Sequence, residues 1–473
     1  MRNAAVIWDR VEDKRGAFVA LAERIFDTPE LLYAEHRSVA EHTAALEAEG
    51  FRVTRAPAGI PTAVIGEAGE GGPVIAILGE YDALPGLSQK PGVAEPDPVE
   101  AGGAGHGCGH NLLGAAALAA ATAVKDWLAE TGVAARVRYY GCPAEEGGAA
   151  KTYMVRDGLF ADVDAAITWH PASWTGVDDA RSLANARLDF TFSGRAAHAA
   201  GAPELGRSAL DACELMSVGV NYMREHMPDD ARVHYAYLDA GGPAPNVVQP
   251  RAVVRHLVRA RDNDGLAHLV ARVRKIAEGA ALMTETTVEA RVFSAVSALM
   301  GNRPLEEAMQ AALDRLGPVP FDEDDRAFAH AIRATLTADD IAATFRRIGL
   351  ATDLDLALCD FVAPLDRPRL GGDGATDVGD VSRAVPLVQA RVATCAVGTP
   401  FHTWQTTAQG KTPAAEKGMI HAAKAMADVA VALATDPALV AAAKADHARR
   451  LAAEPYVCPL PADATPPLVP API

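Results

Sequence analysis

The chain has 473 residues, 49% of them hydrophobic, and carries a formal net charge of −17. That length exceeds the usual size of one hydrophobic core, so we expect two domains. An acidic chain argues against a nucleic-acid partner, because phosphate binding needs a basic surface. No stretch approaches about 18 apolar residues free of charged or turn residues, so no membrane-spanning helix is predicted.

The start of the chain and its cysteines bear on the compartment. Residues 1–9 contain no basic segment followed by an apolar stretch, so no secretory signal is predicted. The six cysteines are scattered and do not resemble a disulfide framework: Cys108, Cys142, Cys213, Cys359, Cys395 and Cys458. We therefore expect a cytoplasmic protein, in whose reducing surroundings Cys108 could remain a thiolate.

Residues 1–183 predict an α/β domain in which strands alternate with helices. The predicted elements are two helices within 6–50, strands at 62–65 and 73–78, a Pro/Gly-rich loop at 85–105, an Ala-rich helix from about 111 to 130, and strands at 135–142 and 164–169. Glu80-Tyr81-Asp82, Glu145-Glu146 and His170 each follow a strand. Domains of this class place their sites at such strand ends.

Residues 184–301 predict a different fold, the split βαβ or ferredoxin-like α+β domain. The predicted order is strand (187–193), helix (207–226), strand (231–238), strand (251–259), helix (264–281) and strand (286–293). This segment separates the first candidate site residues from His402, so we expect it to be inserted into the first domain. The predicted domains are therefore 1–183 with 302–473, and 184–301.

The remainder of the chain returns to the first domain. Its predicted elements are a helix at 303–315, a long middle region, a Gly/Asp-rich loop at 371–380, a strand near 388–396 and an Ala-rich helix at 413–435. Residues 454–473 contain many prolines and few packing residues, and we expect a loosely ordered tail there.

The most informative segment is the run Gly105-His106-Gly107-Cys108-Gly109-His110-Asn111, which contains a thiol and two imidazoles. With Glu145-Glu146, His170 and His402 it supplies the thiolate, imidazole and carboxylate groups that hold zinc-like divalent metals. Adjacent glutamates also allow one to bind metal while the other moves protons. Each feature alone is more often a turn, a buried cysteine, a core histidine or a solvated loop. The glycines lack the spacing of nucleotide-binding loops, and the combination favours metal-assisted hydrolysis.

A set of motifs extends over most of the chain in a fixed order: Gly79-Glu80-Tyr81-Asp82-Ala83-Leu84-Pro85, the run 105–111, Pro143-Ala144-Glu145-Glu146-Gly147-Gly148, Trp169-His170-Pro171, Gly194-Arg195-Ala196-Ala197-His198-Ala199, Gly241-Gly242 to Asn246-Val247-Val248, Thr376-Asp377-Val378-Gly379-Asp380-Val381 and His402-Thr403-Trp404-Gln405. These motifs resemble the M20 metallopeptidases. Within that family they are most similar to the amidohydrolase branch, which includes aminobenzoyl-glutamate hydrolase subunits, indole-acetyl-amino-acid hydrolases and hippurate hydrolases. The strongest resemblance is to the B-type subunits of aminobenzoyl-glutamate hydrolase.

The resemblance implies a zinc-peptidase-like catalytic domain, an inserted lid that dimerises, and two divalent metal ions per subunit, zinc or manganese. It implies Glu145 as the catalytic base and Cys108 as the ligand that bridges the ions. The other implied ligands are His110, Glu146, His170 and His402. Asp82 is expected to hold a ligand imidazole in the right tautomer, or else to be a plain turn residue.

The lid residues implied by the resemblance are His198, Asn246 and Arg259. The first two are implied as contacts to the scissile carbonyl or the substrate carboxylate, and they could be supplied across a dimer. Arg259 lies where a lid strand of relatives often carries an arginine, and a guanidinium can hold a carboxylate bidentately. Alternatively it is only a surface charge, with Arg255 and Arg261 nearby as equivalents.

The predicted function is metal-dependent hydrolysis of the amide bond of an N-acyl or N-aroyl amino acid. A dipeptidase of the same family is the alternative within hydrolases. The alternative of another class is a non-catalytic subunit of a hetero-oligomer, because a B-type subunit implies an A-type partner; the intact ligand set argues against it. We expect a small-molecule substrate, a homodimer or a hetero-oligomer, and no nucleic acid or membrane. The chain departs from the family at Asn111, where most relatives have aspartate, and at Glu80-Tyr81-Asp82, where many have Asp-x-Asp; the resemblance implies that these differences affect substrate choice.

Overall fold

The computed structural model describes residues 2–368 and 374–469. The elements up to residue 183 are α1 (Arg2–Asp13), α2 (Arg15–Phe26), α3 (His36–Ala48), β1 (Arg52–Arg55), β2 (Val64–Glu70), β3 (Val74–Glu80), α4 (His110–Thr131), β4 (Ala135–Cys142), α5 (Ala150–Arg156), β5 (Ala165–Ala172) and β6 (Gly176–Val177).

A second group of elements follows: β7 (Ala184–Ser193), α6 (Ala209–Met223), β8 (Arg232–Asp239), β9 (Arg251–Ala260), α7 (Asn263–Thr284) and β10 (Thr287–Val296). We call this group the lid and the rest of the described chain the body. The chain then adds α8 (Arg303–Leu316), α9 (Glu323–Arg333), α10 (Ala338–Ile348), α11 (Val378–Ala384), β11 (Leu387–Ala393), α12 (Trp404–Gln409), α13 (Pro413–Thr435) and α14 (Pro437–Ala453) to the body.

The body contains a seven-stranded sheet in the order β1-β2-β4-β3-β5-β11-β6. The four inner strands β4, β3, β5 and β11 run parallel, and the strands at both edges are antiparallel to their neighbours. Every residue of β3 is buried, as expected for a parallel strand covered on both faces. The carboxyl ends of the four parallel strands therefore meet at one edge, where the candidate residues lie.

Helix α4 lies in the core of the body and packs against β3 and α13. Glycines with positive φ flank it, Gly109 at 76° and Gly132 at 67°, a conformation that other residues adopt at a cost. By length and composition α4 could cross a membrane, as could the bent pair α13 and α14, but 83% of the apolar window of α4 is buried inside the protein. A buried core helix passes the same test, so this is weak evidence for a span.

The lid sheet has the order β10-β7-β9-β8, with every neighbouring pair antiparallel. Helices α6 and α7 pack on one face of it, and alternate residues such as Leu188, Phe190 and Val254 are buried beneath them. This is the predicted β-α-β-β-α-β arrangement, so the predicted α+β lid is confirmed. The opposite face of the lid sheet carries charged residues, and part of it faces the body across a cavity.

The chain passes from the lid back into the body at residues 297–300, where α11 holds it. The buried carboxylate of Asp380 accepts hydrogen bonds from the backbone N–H and the hydroxyl of Ser297, at 2.9 and 2.7 Å. It also accepts from the hydroxyls of Thr152, at 2.8 Å, and Tyr456, at 2.9 Å. Gly379 lies so close to the carbonyl of Ser297 that a Cβ would overlap it.

Several predicted elements need correction. Residues 6–50 form parts of three helices, α1 to α3, not two. The predicted loop at 371–380 ends in the start of α11, while residues 371–373 lie outside the described residues. The tail is not loose over its described part: Leu460 is buried, and the carbonyls of Ala464 and Thr465 accept hydrogen bonds from Arg156 and Tyr153 of the body. The prolines of the tail exclude regular structure but not docking.

Candidate active site

Cys108 lies where two groups of metal-binding side chains meet. The ligand atoms of Cys108, His110 and His170 lie within 4.8 Å of one another, and so do those of Cys108, Glu146 and His402. Cys108 and His110 stand at the turn into α4, His170 within β5, and the other two after β4 and β11. The structure thus brings together all five residues that the sequence predicts as ligands; their binding of metal stays a prediction.

The spacing of the donor atoms fits a divalent ion. Cys108 Sγ lies 3.3 Å from His170 Nε2, and His402 Nε2 lies 3.4 Å from Glu146 Oε2. Ligands bound at about 2.0–2.3 Å to a tetrahedral ion are roughly 3.3–3.7 Å apart. Glu146 Oε1 is buried and has no hydrogen-bond partner among the described residues, which a neighbouring cation would explain.

Asp82 orients two of these residues. Its Oδ1 accepts a hydrogen bond of 2.9 Å from His110 Nδ1, and its Oδ2 accepts one of 2.9 Å from the backbone N–H of Glu146. A proton fixed on Nδ1 leaves His110 Nε2 free to bind a metal. The contact required by the prediction for Asp82 is therefore present.

Two non-glycine residues at the site have positive φ, Ala144 at 57° and His402 at 63°. Such conformations are rare and persist only where the surroundings hold them. The N–H of Ala144 donates to the buried carboxylate of Glu35 at 2.9 Å, and the N–H of His402 donates to the carbonyl of Gly107 at 2.8 Å. These hydrogen bonds hold the Glu145-Glu146 turn and the His402 ring close to Cys108.

The acidic groups of the site hold protons strongly. Burial raises the pKa of the Cys108 thiol, and the Glu146 carboxylate raises it further. Burial raises the pKa of Glu146 to about 7. Burial also raises the pKa of Glu145 well above its usual value, with added contributions from Glu80 and Glu146. A divalent cation would displace such protons, since metals bind the deprotonated ligands.

Sequence reasoning missed a buried charged cluster beside the ligands. Lys151 on α5 is fully buried, and its Nζ lies 2.6 Å from both Glu80 Oε1 and Asp377 Oδ1. The second oxygen of Glu80 lies 3.3 Å from His110 Nε2, and the ligand atoms of Glu80, His110 and Glu145 lie within 4.8 Å of one another. The position of Glu80 directly before Tyr81-Asp82 at a strand end was the available signal; nothing in the spacing pointed to Lys151.

A cavity of about 990 Å³ opens between the site and the open face of the lid sheet. Glu145, Glu146 and His402 line the side of the body, and Arg187 and Arg259 line the side of the lid. Arg259 is partly buried, and burial lowers its pKa with no opposing carboxylate among the described residues. The structure therefore places Arg259 at the same cavity as the predicted base.

His198 and Asn246 lie together but away from this cavity. Ala199 N–H donates to the carbonyl of Asn246 at 3.0 Å, both side chains are exposed, and neither is among the described residues that border the cavity. His198 Nδ1 accepts from the N–H groups of Ala200 and Gly201, at 3.2 and 3.0 Å. The proton of the neutral ring is thus directed to Nε2, which is left to donate outward.

Comparisons with known proteins agree with this geometry. A profile of Peptidase family M20/M25/M40 matches residues 76–351. The chain is 48% identical over 468 residues to the B subunit of p-aminobenzoyl-glutamate hydrolase of Escherichia coli (strain K12), a match that covers 97% of each protein. It is 31% identical over 296 residues to Xaa-Arg dipeptidase of Mus musculus, covering 59% of this chain and 64% of that protein.

The fold is similar to that of a solved structure, the Bacillus subtilis YXEP protein, described as a dinuclear metal binding peptidase from the M20 family. The TM-score is 0.55 at 18% identity, and the match covers 89% of this chain and 98% of that one. The predicted fold class is thereby confirmed. Because the profile covers more than half of the chain and a relative matches nearly all of it, the chain belongs to peptidase family M20/M25/M40 and is a metal-dependent amide hydrolase.

Proposed function

We propose that this enzyme cleaves the amide bond between an acyl or aroyl group and an amino acid that has a free α-carboxylate. The observation that carries the proposal is that Glu145, next to the ligand groups that share Cys108, borders the same cavity as the guanidinium of Arg259, which no described carboxylate neutralises. The relative with 48% identity is named as a hydrolase of p-aminobenzoyl-glutamate, which is a compound of this class.

Each subunit is proposed to hold two divalent ions, zinc or manganese. The two ligand sets are Cys108, His110 and His170, and Cys108, Glu146 and His402. When bound, the ions lower the pKa of a water molecule toward neutrality and polarise the amide carbonyl. Glu145 takes the proton of the attacking water and returns it to the leaving amine, a role that suits a carboxylate with a raised pKa. Asp82 keeps His110 in the binding tautomer.

His198 and Asn246 are proposed to act on the substrate from the lid of a second subunit. Neither residue lines the cavity of its own chain, which supports this, as does the outward Nε2 of His198, which can donate to the developing oxyanion. Such a donor is often worth about 3 kcal/mol in the transition state. His198→Ala should therefore lower kcat by roughly a hundredfold without loss of metal.

The dimer surface is proposed to be the edge strand β8 together with α6. Strand β8 ends the lid sheet, and exposed apolar side chains lie along it and along α6: Leu215, Val218, Tyr222, Tyr235, Tyr237 and Leu238. An unpaired edge beside an apolar patch is a typical association surface. Light scattering of wild type and Tyr222→Arg tests it; a monomeric wild type at micromolar concentration would exclude the homodimer. Since the relative is named as one subunit of its enzyme, a related second subunit is the other candidate partner.

A dipeptidase is the second candidate function, because the mouse relative is named Xaa-Arg dipeptidase. The deciding experiment loads the protein with Zn²⁺ or Mn²⁺ and compares the release of amino acid from p-aminobenzoyl-glutamate, other N-acyl amino acids and a dipeptide panel. Cys108→Ala, which removes the shared ligand, is the control and should be inactive. Wild type that retains neither ion, or that cleaves none of these amides, would contradict the proposal and favour a non-catalytic subunit.

We also propose the division into a catalytic domain, 1–183 with 302–473, and a lid domain, 184–301. This division is supported by the lid's own four-stranded antiparallel sheet and by helices α6 and α7, which pack on that sheet. The cytoplasm is the proposed compartment, because the cysteines that the structure describes are all free thiols.

A further inference from the structure

We propose that Tyr33 and Glu35 are positioning residues for the proposed base Glu145, because they hold both ends of the turn that carries it. This inference rests on the proposed function, in which Glu145 moves protons. Tyr33 and Glu35 lie in the loop between α2 and α3, and both side chains are buried. Neither is among the described residues that border the cavity, so any effect on the substrate must pass through another residue.

The turn after β4 closes on itself at Ala144. The carbonyl of Ala144 accepts hydrogen bonds from the N–H groups of Gly148 and Ala149, at 2.8 and 2.9 Å. Ala144 and Ala149 both have positive φ, 57° and 56°, a conformation that residues other than glycine keep only where their surroundings hold it. The turn therefore needs support at both ends, and Glu145 directly follows the first of these strained residues.

Tyr33 and Glu35 provide this support from one loop. Glu35 Oε1 accepts the N–H of Ala144 at 2.9 Å, which fixes the start of the turn. The hydroxyl of Tyr33 donates to the carbonyl of Gly148 at 2.8 Å, which fixes its end. A Cβ at position 148 would overlap the ring of Tyr33, so the glycine permits this close approach.

The supporting loop is itself held on both sides. The carboxylate of Glu30 accepts hydrogen bonds from the N–H and the hydroxyl of Ser38 on α3, both at 2.8 Å. The carbonyl of Glu30 accepts the N–H of Ala83 at 2.8 Å, and Ala83 directly follows Asp82, which orients His110. The loop thus connects the turn of the base to the strand end that orients a proposed ligand.

The two adjacent glutamates of the turn differ in what holds them. The N–H of Glu146 donates to Asp82 and its carbonyl accepts from Arg187, at 2.9 and 3.0 Å. Glu145 itself makes no hydrogen bond to the described residues, so its position depends on Ala144 and on the far end of the turn. Loss of support from the loop should therefore displace Glu145, while Glu146 keeps its own contacts. A role in general stability alone would not separate the two.

The test uses variants that each remove one contact. Glu35→Met removes the acceptor of the Ala144 N–H, whereas Glu35→Gln keeps an oxygen acceptor there. Tyr33→Phe removes the donor to the end of the turn but retains the buried ring, and it is the second variant in case Glu35→Met fails to fold. Tyr140→Phe is the matched control, because Tyr140 is also fully buried and its hydroxyl donates to the carbonyl of Leu159, outside the turn, at 2.7 Å.

Each metal-loaded variant is assayed with an N-acyl amino acid that wild type cleaves, and its metal content and denaturant unfolding are measured in parallel. We expect Glu35→Met and Tyr33→Phe to lower kcat by about tenfold or more, since even a small misplacement of a catalytic group is costly. KM and metal content should stay close to the wild-type values, and Glu35→Gln should recover most of kcat. Tyr140→Phe should lose stability but not kcat.

A double-mutant cycle shows whether the effect passes through Glu145. Once Glu145→Gln has removed the base, the addition of Tyr33→Phe should lower the residual kcat no further. Fully additive effects would overturn the inference, as would wild-type kcat in Glu35→Met and Tyr33→Phe, an equal loss of kcat in Tyr140→Phe, or loss of metal from the loop variants. Near wild-type activity in Glu145→Gln alone would instead overturn the assignment of the base in the proposed function.

Discussion

Arg187 on lid strand β7 donates a hydrogen bond of 3.0 Å to the backbone carbonyl of Glu146 in the body. The lid thus contacts the turn that carries the proposed base and one proposed ligand. Gly147 makes this approach possible, because a Cβ there would overlap the guanidinium group. The position of the lid and the position of Glu145-Glu146 are therefore linked through one side chain.

Replacement of Arg187 by Met should lower kcat/KM by about 10- to 100-fold while two ions stay bound. The lost bond to a charged donor is worth about 1.5–3 kcal/mol, and the turn loses its support from the lid. Arg251→Met is the control, because Arg251 is an exposed arginine of the same sheet that pairs with Asp239. Steady-state kinetics with elemental analysis decides; similar small effects in both variants would show that Arg187 does not position the turn.

Glu145→Gln and Glu146→Gln should separate the two roles of the adjacent glutamates. We expect Glu145→Gln to keep its fold and metal but to lose about a hundredfold or more in kcat, because the base is gone. Glu146→Gln should lose metal first, since its carboxylate faces Cys108 and His402. Single-turnover rates and metal analysis of both variants are the measurement, and near wild-type activity in Glu145→Gln would refute the assignment.

Metal affinity should rise with pH. Burial raises the pKa of Cys108 above its usual range and that of Glu146 to about 7, so the metal-free site retains protons that binding must expel. Above pH 7 metal binding must displace the proton of the Cys108 thiol. Below pH 7 it must also displace the proton of the Glu146 carboxyl group. The association constant for Mn²⁺ should therefore increase by about tenfold or more per pH unit between pH 6 and 8. Calorimetry in buffers of different ionisation enthalpy counts the released protons; a pH-independent affinity would contradict the proposed ligands.

The sequence predicted the elements whose patterns are long and regular. The six lid elements were placed in the right order, and α13 was predicted with its observed bounds because Pro413 starts a long Ala-rich run. Helices α9 and α10 were missed although both begin with capping boxes, Asp322 with Asp325 and Thr337 with Asp340. Strands β1 and β6 are four and two residues long, too short for a periodic pattern to identify.

The site was predictable where a residue follows a strand and carries a recognisable ligand group. Glu146 and His402 met that condition, whereas Cys108 was recognisable from its place in the run just before helix α4. The contact of Lys151 with Glu80 and Asp377 could not be predicted, because it depends on the packing of α5 against α11 across 226 residues of sequence. The separation of His198 from the cavity likewise depends on where the lid sits, which no local pattern encodes.

Asp380→Ala should destabilise the junction between lid and body by about 3–5 kcal/mol. The substitution leaves the buried N–H and hydroxyl of Ser297 and the hydroxyl of Thr152 without their acceptor. Tyr456→Phe, which removes a single donor to the same carboxylate, should cost about 0.5–1.5 kcal/mol. Denaturant unfolding gives both values, and equal costs for the two variants would show that Asp380 does not anchor residue 297.

Arg259 should determine how tightly the enzyme holds the free carboxylate of its substrate. The guanidinium group is half-buried at the cavity that Glu145 borders, and no described carboxylate neutralises it. Arg187 lines the same cavity, and burial together with the charges of Arg255 and Arg259 lowers its pKa. A substrate anion bound there would therefore meet two positive groups. Arg259→Met should therefore raise KM for p-aminobenzoyl-glutamate by about 10-fold or more, as expected for a lost charge-assisted bond, with a smaller change for its α-amide.

Arg255→Met serves as control, because Arg255 already pairs bidentately with Asp189 at 2.6 and 2.8 Å. Equal effects of Arg259→Met on the acid and the amide would mean that the cavity does not recognise the carboxylate.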